Sequence, residues 1–318
     1  MNSVRRNILI RGFEVGFGLP ALLRDIDLQL HAGEITCLMG PNGSGKSTLL
    51  RTIAGLMPPV SGDLPGMNKA KLAVVLTDRI GNQALRAGEI VSMGRFPHLG
   101  WLGRLSDQDR NIVRDTMIET GILKLADLPV SALSDGQKQL VMLARAFAQQ
   151  PDLLLLDEPT SHLDLNHRVE VMSLLRKWLS GNPDRMVLLS THELDLALQF
   201  ADRLWLVQGN RVVSGIPEDL VLGGTLDQVF QFKGFALKTG KRDLPVAKRT
   251  VRVVGMADTP SFAILWTRNA LERYGFGFSD QAGMTVTVQQ KGASLEWSVD
   301  GRTADSINGL LGMFPEQG

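Results

Sequence analysis

The spacing of apolar residues changes several times along this chain of 318 residues. In residues 4–30, short apolar runs alternate with turns, which predicts antiparallel strands. Beyond them, continuous apolar runs without alternation indicate strands of a parallel sheet that is buried on both faces. The runs predicted as strands of this sheet are residues 35–39, 71–76, 153–156, 186–189, 203–207 and 212–213, and the helices predicted among the later ones are 166–179 and 194–200.

Residues 84–150 have a different character. Helix-like periodicity occurs at residues 108–120 and again at 137–150, with Gly and Pro breaks between the two segments. This region is therefore predicted to be a helical insertion within an α/β domain.

The last part of the chain forms a separate pattern. We predict a strand at 250–256, a helix at 260–274, strands at 284–290 and 294–300 joined as a hairpin across Lys291-Gly292, and a helix at 304–311. This small α+β appendage carries no recognisable catalytic constellation. It could regulate the first domain, bind a ligand, stabilise a dimer or be purely structural. The predicted domains are residues 1–235 and 236–318.

Composition and charge narrow the possible environment. The formal net charge of +1 provides no overall attraction to nucleic acid or anionic lipid. Cys37 is the single cysteine, so no intrachain disulfide is possible and a reducing compartment is suitable. No run approaches the ~20 apolar residues that span a bilayer. We expect a chain that is soluble by itself and can still dock on a membrane protein.

A glycine-rich segment between a predicted strand and a predicted helix has the spacing of a phosphate-binding loop. Its glycines let successive N–H groups surround a phosphate, and the helix N-terminus adds favourable partial charge. Lys46 can reach the β- and γ-phosphates, and the Ser47 hydroxyl can ligate Mg²⁺. The nine residues of this loop are Gly40, Pro41, Asn42, Gly43, Ser44, Gly45, Lys46, Ser47 and Thr48.

Two later strands end in polar residues that suit the same chemistry. The run at 153–156 ends in Asp157 and Glu158, at the edge of the sheet where α/β proteins bind their ligands. Asp157 suits the Mg²⁺ shell, and Glu158 can orient and polarise an attacking water. The strand at 186–189 leads to His192, a candidate contact for the γ-phosphate.

Two further positions allow both a functional and an ordinary interpretation. Ser134 is a natural N-cap whose helix start could bind an anion, although a capped helix alone explains it equally well. Phe17, which lies between Gly16 and Gly18 just before the predicted strand pair, could stack on a base or be an ordinary core residue.

Together these motifs resemble the nucleotide-binding subunit of an ABC transporter over residues 5–232. The resemblance implies Walker A at 40–48, the signature at 133–139, Walker B at 153–158, the D-loop at 161–164, His192 as switch histidine and Phe17 as adenine-stacking aromatic. It implies an α/β P-loop ABC ATPase domain with a parallel-sheet core, an antiparallel β subdomain and a helical subdomain. A small C-terminal α+β domain follows.

The resemblance also implies a mechanism. Two copies sandwich Mg-ATP, so that Ser134, Gly136 and Gln137 of one copy complete the site of the other. Asp164 of the D-loop is a further implied nucleotide-binding residue. Glu158, His192 and Lys46 are the implied catalytic residues, and Ser47, Asp157 and Thr77 the implied Mg²⁺ ligands. ATP and Mg²⁺ are the expected cofactors.

Within this family, residues 92–98 and 103–106 resemble import ATPases for iron–siderophore, haem and cobalamin. The implied partners are a second copy, separately encoded transmembrane permease subunits contacted through residues 84–105, and indirectly an extracytoplasmic substrate-binding protein. No nucleic acid partner is expected. The implied location is the cytoplasmic face of the cell membrane.

The sequence departs from the family pattern at two positions. Asp135 stands at the second glycine of the signature, and we expect its side chain to point away from the phosphates. Thr77, followed by Asp78, stands where the Q-loop glutamine is expected, unless the alignment shifts to Gln83. Two alternatives are a soluble ABC-type ATPase in DNA repair or translation, and an ATP-binding regulatory subunit without hydrolysis. Repair members of the family carry long heptad arms between the P-loop and the signature, and translation factors usually carry two cassettes. This sequence shows neither feature, which argues against the soluble class.

Overall fold

The computed structural model describes residues 7–63, 71–76, 84–100, 103–231, 235–236, 241–242, 249–256, 258–273, 275–292 and 294–314. The chain divides into two compact units, Met1–Gln231 and Phe232–Gly318. In order, the first contains β1 (Asn7–Val15), β2 (Leu23–His31), β3 (Ile35–Met39), α1 (Lys46–Ile53), β4 (Ser61–Asp63), β5 (Leu72–Val75), α2 (Ala87–Ser92), a 3₁₀ helix (Met93–His98), α3 (Asp107–Glu119), α4 (Asp135–Ala148), β6 (Leu153–Asp157), α5 (Leu165–Ser180), β7 (Met186–Ser190), α6 (Leu194–Phe200), β8 (Arg203–Gln208), β9 (Arg211–Gly215), α7 (Pro217–Leu222) and α8 (Thr225–Phe230).

The central sheet of this unit has six strands in the order β5-β6-β7-β3-β8-β9. Its first five strands run parallel, as predicted, and β3, β6 and β7 are buried along their whole lengths. The inclusion of residues 212–213 in the parallel set is wrong. That segment belongs to β9, which runs antiparallel to β8, because the two-residue connection Gly209-Asn210 is too short for a parallel crossover.

The predicted antiparallel pair near the start of the chain is confirmed. β1 and β2 pair antiparallel, and β4 joins the outer side of β1. Phe17 lies in the connection between β1 and β2 rather than before the pair, and it is 87% exposed. The interpretation of Phe17 as a core residue is therefore excluded.

The helical segment follows the prediction, with α3 and α4 at the two periodic stretches. A buried ion pair holds it together: Arg95 Nε lies 2.9 Å from Asp109 Oδ1, and Arg95 Nη1 donates to the Ala148 carbonyl at 2.8 Å. The hydrogen bond from the Ser106 hydroxyl, followed by that from Arg95, lowers the pKa of Asp109 to about 2. Among the described residues, no helix has the length and apolarity needed to span a bilayer.

The second unit contains β10 (Phe235–Ala236), β11 (Lys241–Arg242), β12 (Arg249–Gly255), α9 (Ser261–Arg273), β13 (Phe276–Phe278), β14 (Met284–Lys291), β15 (Ser294–Val299), β16 (Arg302–Ala304) and α10 (Ile307–Leu311). Its main sheet has the order β13-β12-β14-β15-β16. The predicted hairpin is confirmed by the β14–β15 pairing. The predicted helix at 304–311 begins too early, because Ala304 pairs with Trp297 in the sheet and Ser306 caps α10.

Candidate functional site

The loop between β3 and α1 has a backbone that only glycine adopts easily. Gly40, Gly43 and Gly45 have φ angles of 153°, 76° and 98°. A Cβ at Gly40 would lie 2.9 Å from the Val207 Cβ, and a Cβ at Gly45 would lie 2.8 Å from Leu22 Cδ2. The glycines therefore serve both the turn and the close packing of the loop. The tip, Pro41 to Gly43, is exposed.

Lys46 occupies the first position of α1 and is 7% exposed. Its Nζ donates to the carbonyls of Gly40 at 2.8 Å and Pro41 at 3.0 Å. Burial lowers the pKa of the ammonium, and the nearby carboxylates of Glu158 and Asp157 act in the opposite direction. Ser44 Oγ is buried and has no hydrogen-bond partner within the described part of the chain. A buried ammonium and an unpartnered hydroxyl beside a ring of glycines fit a bound phosphate.

Asp157 lies at the carboxyl end of β6 and joins two hydroxyl groups. Its Oδ1 accepts from Ser47 Oγ at 3.1 Å and from Ser190 Oγ at 2.6 Å. Hard oxygen atoms of this kind suit Mg²⁺. Sequence reasoning missed Ser190. The residue could have been noticed as a polar residue that ends an otherwise apolar strand. It contacts Asp157 because the two residues lie opposite each other in the pairing of β6 with β7.

Glu158 follows directly and has a left-handed backbone, with φ of 49°. Such conformations are costly for residues other than glycine and concentrate at functional sites. The Glu158 N–H donates to Ser190 Oγ at 2.9 Å. Its Oε1 lies 3.6 Å from His192 Nδ1, beyond the end of β7. The structure thus gathers Lys46, Ser47, Asp157, Glu158 and His192 at one edge of the sheet.

A second cluster surrounds the start of α4. Ser134 Oγ accepts from the Gln137 N–H at 3.2 Å, and Gln137 Oε1 accepts from the Ser134 N–H at 3.0 Å, so the two residues form a capping box. A Cβ on Gly136 would lie 2.5 Å from His167 Cδ2 on α5. Asp135 points into solvent, with 75% of its side chain exposed, and pairs with Lys138 Nζ at 3.2 Å.

Asp164 connects this cluster to α5. It is the N-cap of α5 and accepts from the His167 N–H at 3.0 Å, while its Oδ2 lies 2.8 Å from His167 Nδ1. The hydrogen bond from the His167 backbone, together with that from its ring, lowers the pKa of Asp164. Its carboxylate is therefore engaged within its own chain.

Thr48 lies in α1, where its carbonyl accepts from Thr52 Oγ1 at 2.8 Å. Phe17 projects from the exposed β1–β2 connection. Thr77, Asp78 and Gln83 lie outside the described residues.

Two family models match the chain. The model described as ABC transporter matches residues 23–161, and the model described as iron ABC transporter C-terminal domain matches residues 248–312. The second match coincides with most of the appendage, which sequence patterns alone left without a function.

Curated relatives and solved structures give the same family. The iron(3+)-hydroxamate import ATP-binding protein FhuC of Bacillus subtilis is 35% identical over 73% of this chain and 90% of its own length. The hemin import ATP-binding protein HmuV of Gloeobacter violaceus is 39% identical over 63% of this chain and 78% of its own. A solved structure described as an inward-facing, metal-chelate type ABC transporter superposes with a TM-score of 0.65 at 26% identity, covering 70% of this chain and 88% of that chain.

Proposed function

The chain belongs to the ABC transporter family of ATP-binding subunits, which hydrolyse ATP, and on this basis we propose that it drives the import of an iron chelate. The predicted family, α/β P-loop fold and ATPase activity are confirmed by these matches.

One observation carries the proposed mechanism: a buried lysine, a carboxylate with two hydroxyls, and a Glu–His pair lie at one sheet edge. In this proposal the loop N–H groups, Ser44 and Lys46 bind the phosphates. Lys46 Nζ exchanges its carbonyl partners for phosphate oxygens. Ser47 and Asp157 would hold Mg²⁺, and the Ser190 hydroxyl fixes the Asp157 carboxylate. When bound, Mg²⁺ would offset negative charge on the phosphates.

Glu158 is the proposed general base. Its backbone N–H is tied to Ser190, which aims the side chain from the end of β6. From there the Glu158 carboxylate can accept a proton from an attacking water. In this proposal His192 contacts the γ-phosphate and holds the Glu158 side chain, and its Nδ1 at 3.6 Å from the Glu158 carboxylate supports the second role.

The proposed cargo is a siderophore, haem or cobalamin-type chelate. The similarity to FhuC and HmuV, which are named for iron(3+)-hydroxamate and hemin import, supports the first two of these, and the iron-type model matched by the appendage favours an iron chelate among the three. We propose that the ATP-binding domain spans residues 1–235 and the appendage residues 236–318. The division of the chain into two compact units supports this.

The proposed assembly pairs two copies, each completing the other's site with Ser134, Gly136 and Gln137. Import ATP-binding subunits work with transmembrane permease components. We therefore propose docking through residues 84–105 on a permease, at the cytoplasmic face of the membrane, with a separate substrate-binding protein on the other side. Phe17 would stack on the adenine.

Substitution of the general base tests the mechanism. Glu158→Gln keeps shape and removes the base, so it should bind ATP and trap a dimer with negligible turnover. Glu170 on α5 is exposed, so Glu170→Gln makes the same chemical change as Glu158→Gln at a surface position and should behave as wild type. ATP turnover and ATP-dependent dimer formation are measured together. Wild-type hydrolysis by the Glu158→Gln variant removes Glu158 from this role.

Co-purification tests the transport assignment. A chain expressed with its candidate permease should be retained by that permease and should hydrolyse ATP faster in its presence. A chain that hydrolyses ATP at full rate alone and binds no permease is a soluble ATPase. One that only binds ATP is a regulatory subunit.

A further inference from the structure

The first turn of α5 carries an arginine that touches two functional segments at once. Arg168 Nε donates to the carbonyl of Leu163 at 2.6 Å, within the loop that leads into α5. Arg168 Nη1 lies 3.2 Å from Glu193 Oε1, beyond the end of β7. One guanidinium therefore joins the loop at 161–164 to the segment that follows β7.

Glu193 is unusually buried for a carboxylate, with only 5% of its side chain exposed. Its N–H donates to Thr191 Oγ1 at 3.0 Å. Within the described part of the chain, neither carboxylate oxygen accepts a well-aligned hydrogen bond, so the contact with Arg168 is electrostatic. Removing the partner of a buried charge leaves that charge uncompensated, which strongly destabilises the local arrangement that buries it.

The position of Glu193 matters because it directly follows His192. Because the two residues share a peptide bond, the position of the His192 backbone depends on the buried, ion-paired Glu193. His192 Nδ1 in turn lies 3.6 Å from Glu158 Oε1. The other contact of Arg168, Leu163, is buried and precedes Asp164, which holds His167 against Gly136.

We propose that Arg168 is a positioning residue for hydrolysis, which locks the His192–Glu193 segment to the loop at 161–164. Through Glu193 it fixes where His192 stands relative to Glu158, and through Leu163 it links that geometry to the loop that caps α5. This inference rests on the roles proposed for Glu158 and His192. It extends them to a residue that acts through its contacts with Leu163 and Glu193.

The same helix offers a matched structural control. Arg176 also joins a carboxylate and a carbonyl: its Nη1 lies 2.8 Å from Asp202 Oδ2, and its Nη2 donates to the Phe200 carbonyl. Asp202 Oδ2 accepts from the Ile35 N–H at 2.7 Å, at the start of β3. Arg176 thus makes the same kinds of contact at the opposite end of the strands from the catalytic edge.

The test compares Arg168→Met, Arg168→Lys, Glu193→Gln and Arg176→Met in the full chain. Each is measured for kcat, KM for ATP, ATP affinity and Tm. We expect Arg168→Met and Glu193→Gln to lower kcat roughly ten- to a hundredfold, since misplacement of about 1 Å has such effects. KM and ATP affinity should change by less than about twofold, because the side-chain contacts of this pair within the described residues go to the Leu163 carbonyl and to each other, not to the loop at 40–48.

The conservative variant and the control separate positioning from stability. Arg168→Lys keeps the charge and one of two contacts, so it should recover part of kcat. Arg176→Met should lower Tm while leaving kcat per folded chain unchanged. Glu193→Gln removes the buried charge at nearly constant volume, so it stays informative if Arg168→Met does not fold.

The measurements distinguish failure of the role proposed for Arg168 from failure of the proposed ATPase function. An active wild-type chain with unchanged kcat in Glu193→Gln and Arg168→Lys, or losses equal to those in Arg176→Met, overturns the role of Arg168. A wild-type chain without Mg-dependent ATPase activity contradicts the proposed function instead.

Discussion

The contact between Gly136 and His167 makes a quantitative prediction about Gly136→Ala. The added Cβ would meet His167 Cδ2 at 2.5 Å, Cγ at 2.9 Å and Nε2 at 3.0 Å. Favourable carbon contacts lie at about 3.5–4.0 Å, so the ring must move by about 1 Å. The ring is anchored through Nδ1 to Asp164 at 2.8 Å, so it cannot move freely.

The magnitude follows from two opposing effects. Overpacking of this kind costs about 1–3 kcal/mol. Replacing a helical glycine by alanine contributes up to about 1 kcal/mol in the other direction. When His167→Ala removes the ring, only the favourable effect is left. Gly136→Ala should therefore destabilise the wild-type chain, or barely change it, and should stabilise the His167→Ala chain.

A double-mutant cycle measures this directly. The wild type, both single variants and the double variant are unfolded by denaturant without nucleotide. We expect the effect of Gly136→Ala to differ between the two backgrounds by about 1–3 kcal/mol, the overpacking cost itself. Equal effects in both backgrounds, within about 0.5 kcal/mol, refute the reasoning.

Two further predictions concern charge. Asp135→Gly tests whether this carboxylate, which faces solvent and pairs with Lys138, still hinders nucleotide binding: if it does, the ATP-bound dimer of the Glu158→Gln variant should tighten, and a sedimentation-derived Kd that is unchanged or weaker shows that it does not. Asp109→Asn should unfold more readily than wild type at pH 7. Because the folded pKa of Asp109 is depressed to about 2, its stabilising effect is complete above its unfolded pKa of about 4 and is lost as pH falls through 2. The difference in unfolding free energy between wild type and variant should therefore shrink as pH falls from 4 through 2, and a pH-independent difference opposes this cause.

Local patterns predicted the elements of the sheet well. β6 and β7 are continuous apolar runs between polar ends, so burial on both faces could be inferred without knowing the neighbours. Pairing direction and exact ends depend on distant partners. β16 could not be foreseen because Ala304 fits a helix start locally, whereas its pairing with Trp297 is set by the sheet.

The candidate site divides in the same way. Short sequence motifs are enough to predict the chemistry of the loop at 40–48, Asp157, Glu158 and His192. Ser190 gains its role from the register between β6 and β7, and Arg168 and Glu193 from the approach of α5 to the segment after β7. No local pattern marks these contacts, since their partners are distant in sequence.

The central claim is that each hydrolytic site is formed by two copies of the chain, so that one copy alone contributes only half of it. It is tested most directly by ATP turnover per chain, measured with Mg²⁺ across a range of chain concentrations, alongside sedimentation of the same samples. Turnover per chain should rise with concentration and level off as ATP-bound dimers form. Constant turnover per chain where every chain is monomeric would contradict the account.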